Sequence, residues 1–278
     1  MKALFDTSSL KCSKIVTTSY STSFSLGIKL FSPTIQPAIY SIYGFVRYAD
    51  EIVDSFEGYN QEELFYDFVN DYKKSLERKI SLNPIINSFQ EVVHKYNLYT
   101  YAEDFLERME ADLKVTEYNT KEDYENYIYG SADVVGLMCL RVFVNNEDSK
   151  FNNLKSAAKS LGSAFQKVNF LRDIKDDTEN LGRSYFPNLT NSTLNNSIKQ
   201  DIINDIEIDF EKAYKGIIKL PIESKLGVYI AYRYFHKLLK KLKKTDSKKI
   251  LNGRIRISNP LKIYILTKSY IRYKLNVL

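Results

Sequence analysis

Two short stretches of this chain set a pair of aspartates four residues apart amid apolar neighbours. Asp50 and Asp54 lie in Phe45-Val46-Arg47-Tyr48-Ala49-Asp50-Glu51-Ile52-Val53-Asp54, and Asp173 and Asp177 in Gln166-Lys167-Val168-Asn169-Phe170-Leu171-Arg172-Asp173-Ile174-Lys175-Asp176-Asp177. On a helix, residues i and i+4 stack on one face with Cβ atoms roughly 5–6 Å apart. Two carboxylates held that close repel, and charges beside a core are rarely left unpaired. The pattern therefore favours helices whose acidic faces meet around cations. Mg²⁺ suits such a nest, because it takes oxygen ligands from a few carboxylates and from substrate phosphates.

One such motif alone is weak, since solvated helix faces produce it often. The second stretch changes the balance. Gln166, Asn169, Asp173 and Asp177 follow i, i+3, i+7, i+11 spacing and form one polar stripe, flanked by Phe165, Val168, Phe170, Leu171 and Ile174. A stripe of amides and carboxylates among core residues is costly unless it faces a wet, ion-filled cavity. Arg47 and Arg172 adjoin the carboxylates, as salt-bridge partners or as bidentate grips for diphosphate.

The remainder reads as helical. Gly (10) and Pro (6) are few among 278 residues, which favours long helices over a turn-rich β fold, and 44% hydrophobic residues supply a core. Helices are expected over Ala38–Ser55, Glu62–Lys79, from Asn83-Pro84 onward, and over Tyr101–Glu110, Lys121–Val144, Asn153–Thr178, Ile198–Leu220, Ile222–Lys244 and Pro260–Tyr273. The Asn-rich segment Asn180–Asn196 reads as a functional or connecting loop, and Ser247–Asn259 as a second irregular stretch. Neither resembles a linker, so residues 1–278 are expected to form a single all-α domain.

Several function classes fall away. Cys12 and Cys139 give no disulfide framework and no zinc cluster, and Cys139 reads as a small buried residue. His94 and His236 have no ligand companions, and neither a P-loop nor a Gly-rich dinucleotide fingerprint occurs. No leader-like apolar segment follows Lys2, and no uncharged run nears the roughly 20 residues that span a bilayer. The expected place is the cytoplasm, with peripheral contact at the inner membrane face. That contact is suggested by charge: Arg233–Leu278 carries 14 Lys/Arg against Asp246 alone. No nucleic-acid reader motif accompanies the charge, so nucleic acid is not expected as a partner. The 22 Tyr and 16 Phe are mainly core, and near a cavity their π-faces could stabilise cations.

The chain resembles the squalene/phytoene synthase family of head-to-head prenyl transferases over nearly its whole length. Asn169–Asp177, continuing to Gly182-Arg183-Ser184-Tyr185-Phe186-Pro187, resembles the second Asp-rich signature, and Arg47–Asp54 the first. Tyr20-Ser21-Thr22-Ser23-Phe24 and Tyr127-Ile128-Tyr129-Gly130 with Val135-Gly136-Leu137-Met138 follow in the expected order. The resemblance implies an isoprenoid-synthase helical bundle around a deep central cavity. It implies Mg²⁺ at Asp50, Asp54, Asp173 and Asp177, with Mn²⁺ as the alternative metal. Arg47 and Arg172 would bind diphosphate; Tyr20, Ser21 and Ser23 would lie near the first diphosphate. Gln166 and Asn169 would support the second site, Tyr129 and Tyr234 would approach diphosphate or reacting carbons, and Arg254 would add a late diphosphate contact.

The implied reaction condenses two geranylgeranyl diphosphates to phytoene through a cyclopropylcarbinyl diphosphate, with no NADPH. Squalene, dehydrosqualene or hydroxysqualene synthesis from farnesyl diphosphate is the alternative, and a non-catalytic membrane- or partner-binding helical protein a remote one. Asp133 and Ser131 depart from the family's usual glycine and valine, and Tyr20 stands where some dehydrosqualene synthases have histidine. A C-terminal anchor of the eukaryotic squalene synthase type is not seen.

Overall fold

The computed structural model describes residues 1–56, 58–114, 118–180, 182–189 and 194–275. Helices account for nearly all of its regular structure, and their ends follow from capping chemistry. α1 (Lys2–Tyr20) gives way to α2 (Thr22–Ile28) at Ser21, whose side chain accepts the Phe24 N–H at 3.2 Å. α3 (Gln36–Ser55) starts with Pro37 in its first turn, where the missing N–H costs nothing. Asn60 caps α4 (Gln61–Arg78), and Asn83 caps α5 (Pro84–Tyr96). α6 (Tyr99–Asp112) is followed by α7 (Lys121–Ile128), which opens on a Thr120/Asp123 capping box.

The helix expected over Lys121–Val144 is interrupted. Tyr129–Asp133 forms a π-helical turn between α7 and α8 (Val134–Phe143). Close packing accompanies the interruption: a Cβ on Gly162 of the next helix would stand 2.8 Å from the Ala132 carbonyl. Such turns widen the backbone to fit a neighbour and leave no mark in hydrophobic spacing.

α9 (Asp148–Asn180) is a 33-residue rod, about 50 Å long at 1.5 Å per residue. α10 (Asn196–Ile217) and α11 (Ile222–Lys244) pack against it, while α1, α3 and α5 form a neighbouring layer. A short α12 (Ser247–Leu251), capped by Asp246, occupies part of the stretch expected to be irregular. α13 (Asn259–Lys274) lies on α11. α1 and α2 were not anticipated because Ser and Thr dilute their apolar period, yet Ser13 and Thr17 are fully buried against α3 and α5. No helix among the described residues is long and apolar enough to cross a membrane.

One aromatic-rich core runs through the bundle. Phe45 stacks on Phe89 with centroids 4.0 Å apart, and Phe165 stacks on Phe235 at the same spacing. The second stack matters for the site, because Phe165 immediately precedes the polar stripe of α9. Aromatic burial of this kind contributes beyond its area by about 0.5–1.5 kcal/mol per pair.

Candidate active site

α3 and α9 bring the two aspartate pairs to one place. Arg183, in the segment after α9, ties them: its Nη1 lies 2.5 Å from Asp54 Oδ1, while its backbone N–H donates to the Asp177 carbonyl at 2.9 Å. Burial, then the adjacent Asp173, then Asp54 across the gap push the Asp177 carboxyl up to about 7. Asp50 is also pushed up to about 7, by burial first and by Asp54 next, with Asp112 and Glu51 adding to the effect. Carboxyls so lifted report burial first and neighbouring like charge second.

The arginines are already engaged. Arg47 reaches Asp50 and Glu51 along its own helix, and its guanidinium sits over the Tyr20 ring, 4.4 Å from the centroid. Its Nε is buried without a partner. Arg172 Nε donates to Asp173 Oδ1 at 2.8 Å, and Arg254 Nε lies 2.9 Å from the same oxygen. Arg254 arrives from the segment between α12 and α13, so with Arg183 four separate parts of the chain furnish guanidinium groups at this acidic centre.

Most of the expected site residues gather here. Tyr20, Arg47, Asp50, Asp54, Arg172, Asp173, Asp177 and Arg254 are joined by the contacts above. Ser21 ends α1 beside Tyr43, whose phenol is pushed up by burial and also faces Arg47 and Asp50. Ser23 is half-buried on α2, and Gln166 and Asn169 are half-buried on α9 ahead of Asp173. Two tyrosines are placed elsewhere. Tyr129 donates to Asp104 at 2.8 Å and lies under the Lys159 ammonium, 4.9 Å from the ring centroid. Tyr234 donates to the Lys262 carbonyl at 2.9 Å and packs with Leu226, Ile230 and Ile265 between α11 and α13. The neighbouring ring, Phe235, instead turns inward to Phe165 and Phe24.

The structure also supplies residues that spacing did not single out. Asp112, at the end of α6, is buried and accepts the hydroxyls of Tyr118 at 2.8 Å and Tyr127 at 3.0 Å. Burial lifts its carboxyl to about 6, against the lowering effects of Arg183 and the two phenols. Its backbone carbonyl accepts from Arg183 at 3.2 Å. Tyr127, two residues before Tyr129, is therefore the tyrosine of that segment held next to the acidic centre. Asp112 has no second carboxylate three or four residues away, so no pair marks it in the sequence.

Among the described residues no three carboxylates are already gathered as a metal-holding group, but these are hard oxygen donors in two pairs, and burial followed by like charge lifts one member of each, which is the chemistry divalent cations would relieve. Asp50, Asp54, Asp173 and Asp177 would hold them. Beside them runs an aromatic wall, Tyr43–Phe24–Phe165–Phe235, with centroids 6.0, 6.1 and 4.0 Å apart in turn.

The squalene/phytoene synthase family model matches residues 17–260. Among curated relatives, phytoene synthase 1 of Zea mays is 27% identical over 250 residues, covering 82% of this chain and 60% of the maize protein. The 15-cis-phytoene synthase of Enterobacter agglomerans is 26% identical over 242 residues, covering 78% of this chain and 80% of its own. This chain thus spans less than two thirds of the maize relative. A crystal structure of a dehydrosqualene synthase superposes with a TM-score of 0.78 at 19% identity, covering 97% of this chain and 98% of the other. The squalene synthase HpnC of Alicyclobacillus acidocaldarius gives 0.73 at 20% identity, covering 89% and 96%. At those identities the superpositions show the shared all-α isoprenoid-synthase fold.

Proposed function

The chain belongs to the squalene/phytoene synthase family, and we propose that it joins two geranylgeranyl diphosphates head to head to give phytoene in carotenoid synthesis. The observation that carries this reading is the pair of acidic helices facing one another across Arg183, beside an apolar aromatic wall. A diphosphate needs concentrated positive charge, a prenyl cation needs a dry apolar surface, and the site sets the two side by side. The phytoene synthases among its relatives support the twenty-carbon substrate.

Divalent Mg²⁺ bound by the four aspartates would supply the positive charge that makes diphosphate a good leaving group. The protein's own groups do the rest. Arg47, Arg172 and Arg254 turn from their carboxylates to grip the diphosphate oxygens, which guanidinium forks do bidentately. The C–O bond of the first substrate breaks and its electron pair leaves with diphosphate. The double bond of the second substrate attacks the allylic cation, and loss of a proton closes the cyclopropane. The second C–O bond then breaks, the skeleton rearranges, and a further proton leaves to form the central double bond. No electron is gained or lost overall, so no NADPH is required. Tyr43, Phe24, Phe165 and Phe235 exclude water and present π-faces to the cations. Tyr127, held by Asp112, stands ready at the diphosphate end.

A specific observation favours a second reading. The solved structures of similar fold include a dehydrosqualene synthase and a squalene synthase. Farnesyl diphosphate, with fifteen carbons, would then be the substrate and a thirty-carbon hydrocarbon the product. Incubation with either diphosphate and Mg²⁺, followed by mass spectrometry of the extracted hydrocarbon, decides between them. A forty-carbon product supports phytoene synthesis; a thirty-carbon product from farnesyl diphosphate alone overturns it. An insoluble hydrocarbon product is also consistent with a peripheral place on a lipid surface.

A further inference from the structure

Side chains normally stand between two packed helices and hold their axes about 8–10 Å apart. At one point α2 and α11 have none between them. Gly27 of α2 faces Gly227 of α11, and the two backbones meet directly. A Cβ built on Gly227 would stand 2.5 Å from the Gly27 carbonyl oxygen and 2.3 Å from Cε1 of Phe31. A Cβ on Gly27 would meet the Gly227 carbonyl oxygen more mildly, at 3.3 Å. Neither contact of a Gly227 Cβ is cheap to relieve. The Gly27 oxygen is backbone and moves only with α2. The Phe31 ring is buried and packs edge-on against Phe143, with centroids 5.1 Å apart. Ordinary contact lies at about 3.5–4.0 Å, so the Gly27 oxygen would have to withdraw by about 1 Å.

α2 is short and held at both sides. Ser25 Oγ donates to the Thr17 carbonyl of α1 at 3.1 Å, and beyond the helix the Ser32 N–H donates to the Glu223 carbonyl of α11 at 2.8 Å. A single short helix tied this way moves as one body. Phe24 stands about one turn before Gly27, and Phe235 about two turns after Gly227. Their ring centroids are 5.8 Å apart in the aromatic wall. The approach of α2 to α11, which the two glycines permit, therefore sets the spacing of that ring pair.

We propose that Gly227 is a specificity-determining residue, whose missing side chain brings α2 onto α11 and so sets the gap between Phe24 and Phe235 that selects the prenyl chain. The role rests on the reaction proposed above. The rings of the wall meet hydrocarbon, while Arg47, Arg172 and Arg254 grip diphosphate, so a change in the gap acts on chain length and leaves the grip in place. An apolar pocket that gains or loses room for one methylene alters selection by roughly 10–200-fold. Gly227→Ala drives α2 outward, parts the rings, and favours the twenty-carbon chain over the fifteen-carbon one.

Calorimetric titration of the full chain with geranylgeranyl and farnesyl thiolodiphosphate, in the presence of Mg²⁺, reads this selection without turnover. In Gly227→Ala the ratio of the two dissociation constants should move about tenfold toward the longer chain, and in Gly27→Ala about threefold. The milder variant carries the test where Gly227→Ala does not fold. Gly216→Ala is the control: its Cβ would stand 2.3 Å from the Ala157 Cβ, between α10 and α9 and away from α2. It should lower the melting temperature as Gly227→Ala does and keep the parental ratio. A parental ratio in both Gly27→Ala and Gly227→Ala overturns the assignment, and so does an equal change of ratio in Gly216→Ala. A parent that binds neither analogue overturns it as well. A parent that binds both analogues and shows the shift, yet forms no hydrocarbon from either diphosphate, would refute the proposed reaction and uphold the role of Gly227.

Discussion

The aspartate pairs on α3 and α9 have the same spacing and an arginine ahead of the first member, yet their surroundings charge them differently. On α3, Arg47 serves Asp50 and Glu51, and Asp54 takes Arg183 from a segment 129 residues away. On α9, Arg172 and Arg254 both converge on Asp173, while Asp177 faces Asp173 and Asp54 with Arg183 as its nearby offset. The carboxyls lifted to about 7 are accordingly the first of one pair and the last of the other. Spacing along a helix creates a pair; segments distant in sequence decide which member carries the strain.

If both pairs hold cations for one reaction, they should fail alike. Asp50→Ala and Asp177→Ala should each lower turnover on the order of 10³-fold, with far-UV circular dichroism unchanged. A loss confined to one variant would break the equivalence. Arg183→Gln, which removes the tie, should cost roughly 10²-fold in kcat/KM and about 3 kcal/mol of stability, because it leaves Asp54 without its partner. Arg183→Lys should not restore the rate, since an ammonium cannot reach Asp54 and the Asp112 carbonyl together; full rescue would reduce the residue to a bare charge.

The two tyrosines of one segment sharpen the contrast between inside and outside the centre. Tyr127→Phe should cost about tenfold in kcat, and Tyr129→Phe less than about twofold; the reverse ranking would return Tyr129 to the site. The smallest effect concerns Asp133, which accepts from Ser163 at 2.7 Å and is pushed by burial from 3.8 to about 7. A carboxyl raised on folding binds its proton more tightly in the native state, so stability falls as pH rises from about 4 to about 7. Asp133→Asn should therefore stabilise the protein by roughly 2 kcal/mol at pH 8 and by almost nothing near pH 4, read as melting temperature.

Long amphipathic helices were legible because their apolar period repeats: the span expected at Ile222–Lys244 coincides with α11, and Ala38–Ser55 begins two residues inside α3. The π turn at Tyr129–Asp133 was not, since it adds one residue to a turn without altering composition. The four motif aspartates were legible from their spacing within apolar stretches. Asp112 and the Arg183 tie were not, because each depends on contacts between α6, α3 and the segment after α9 that no local pattern encodes. Residues 181 and 190–193 of the Asn-rich stretch lie outside the described residues.

The central claim is that the two facing pairs serve one head-to-head condensation. Its most direct test measures diphosphate release and hydrocarbon formation together, with geranylgeranyl diphosphate, Mg²⁺ and no NADPH. Two diphosphates released for each forty-carbon hydrocarbon, with both signals lost in Asp50→Ala and in Asp177→Ala, is the predicted result. Hydrocarbon formed at the parental rate by either variant, or no diphosphate released from geranylgeranyl or farnesyl diphosphate by the folded parent, would contradict it.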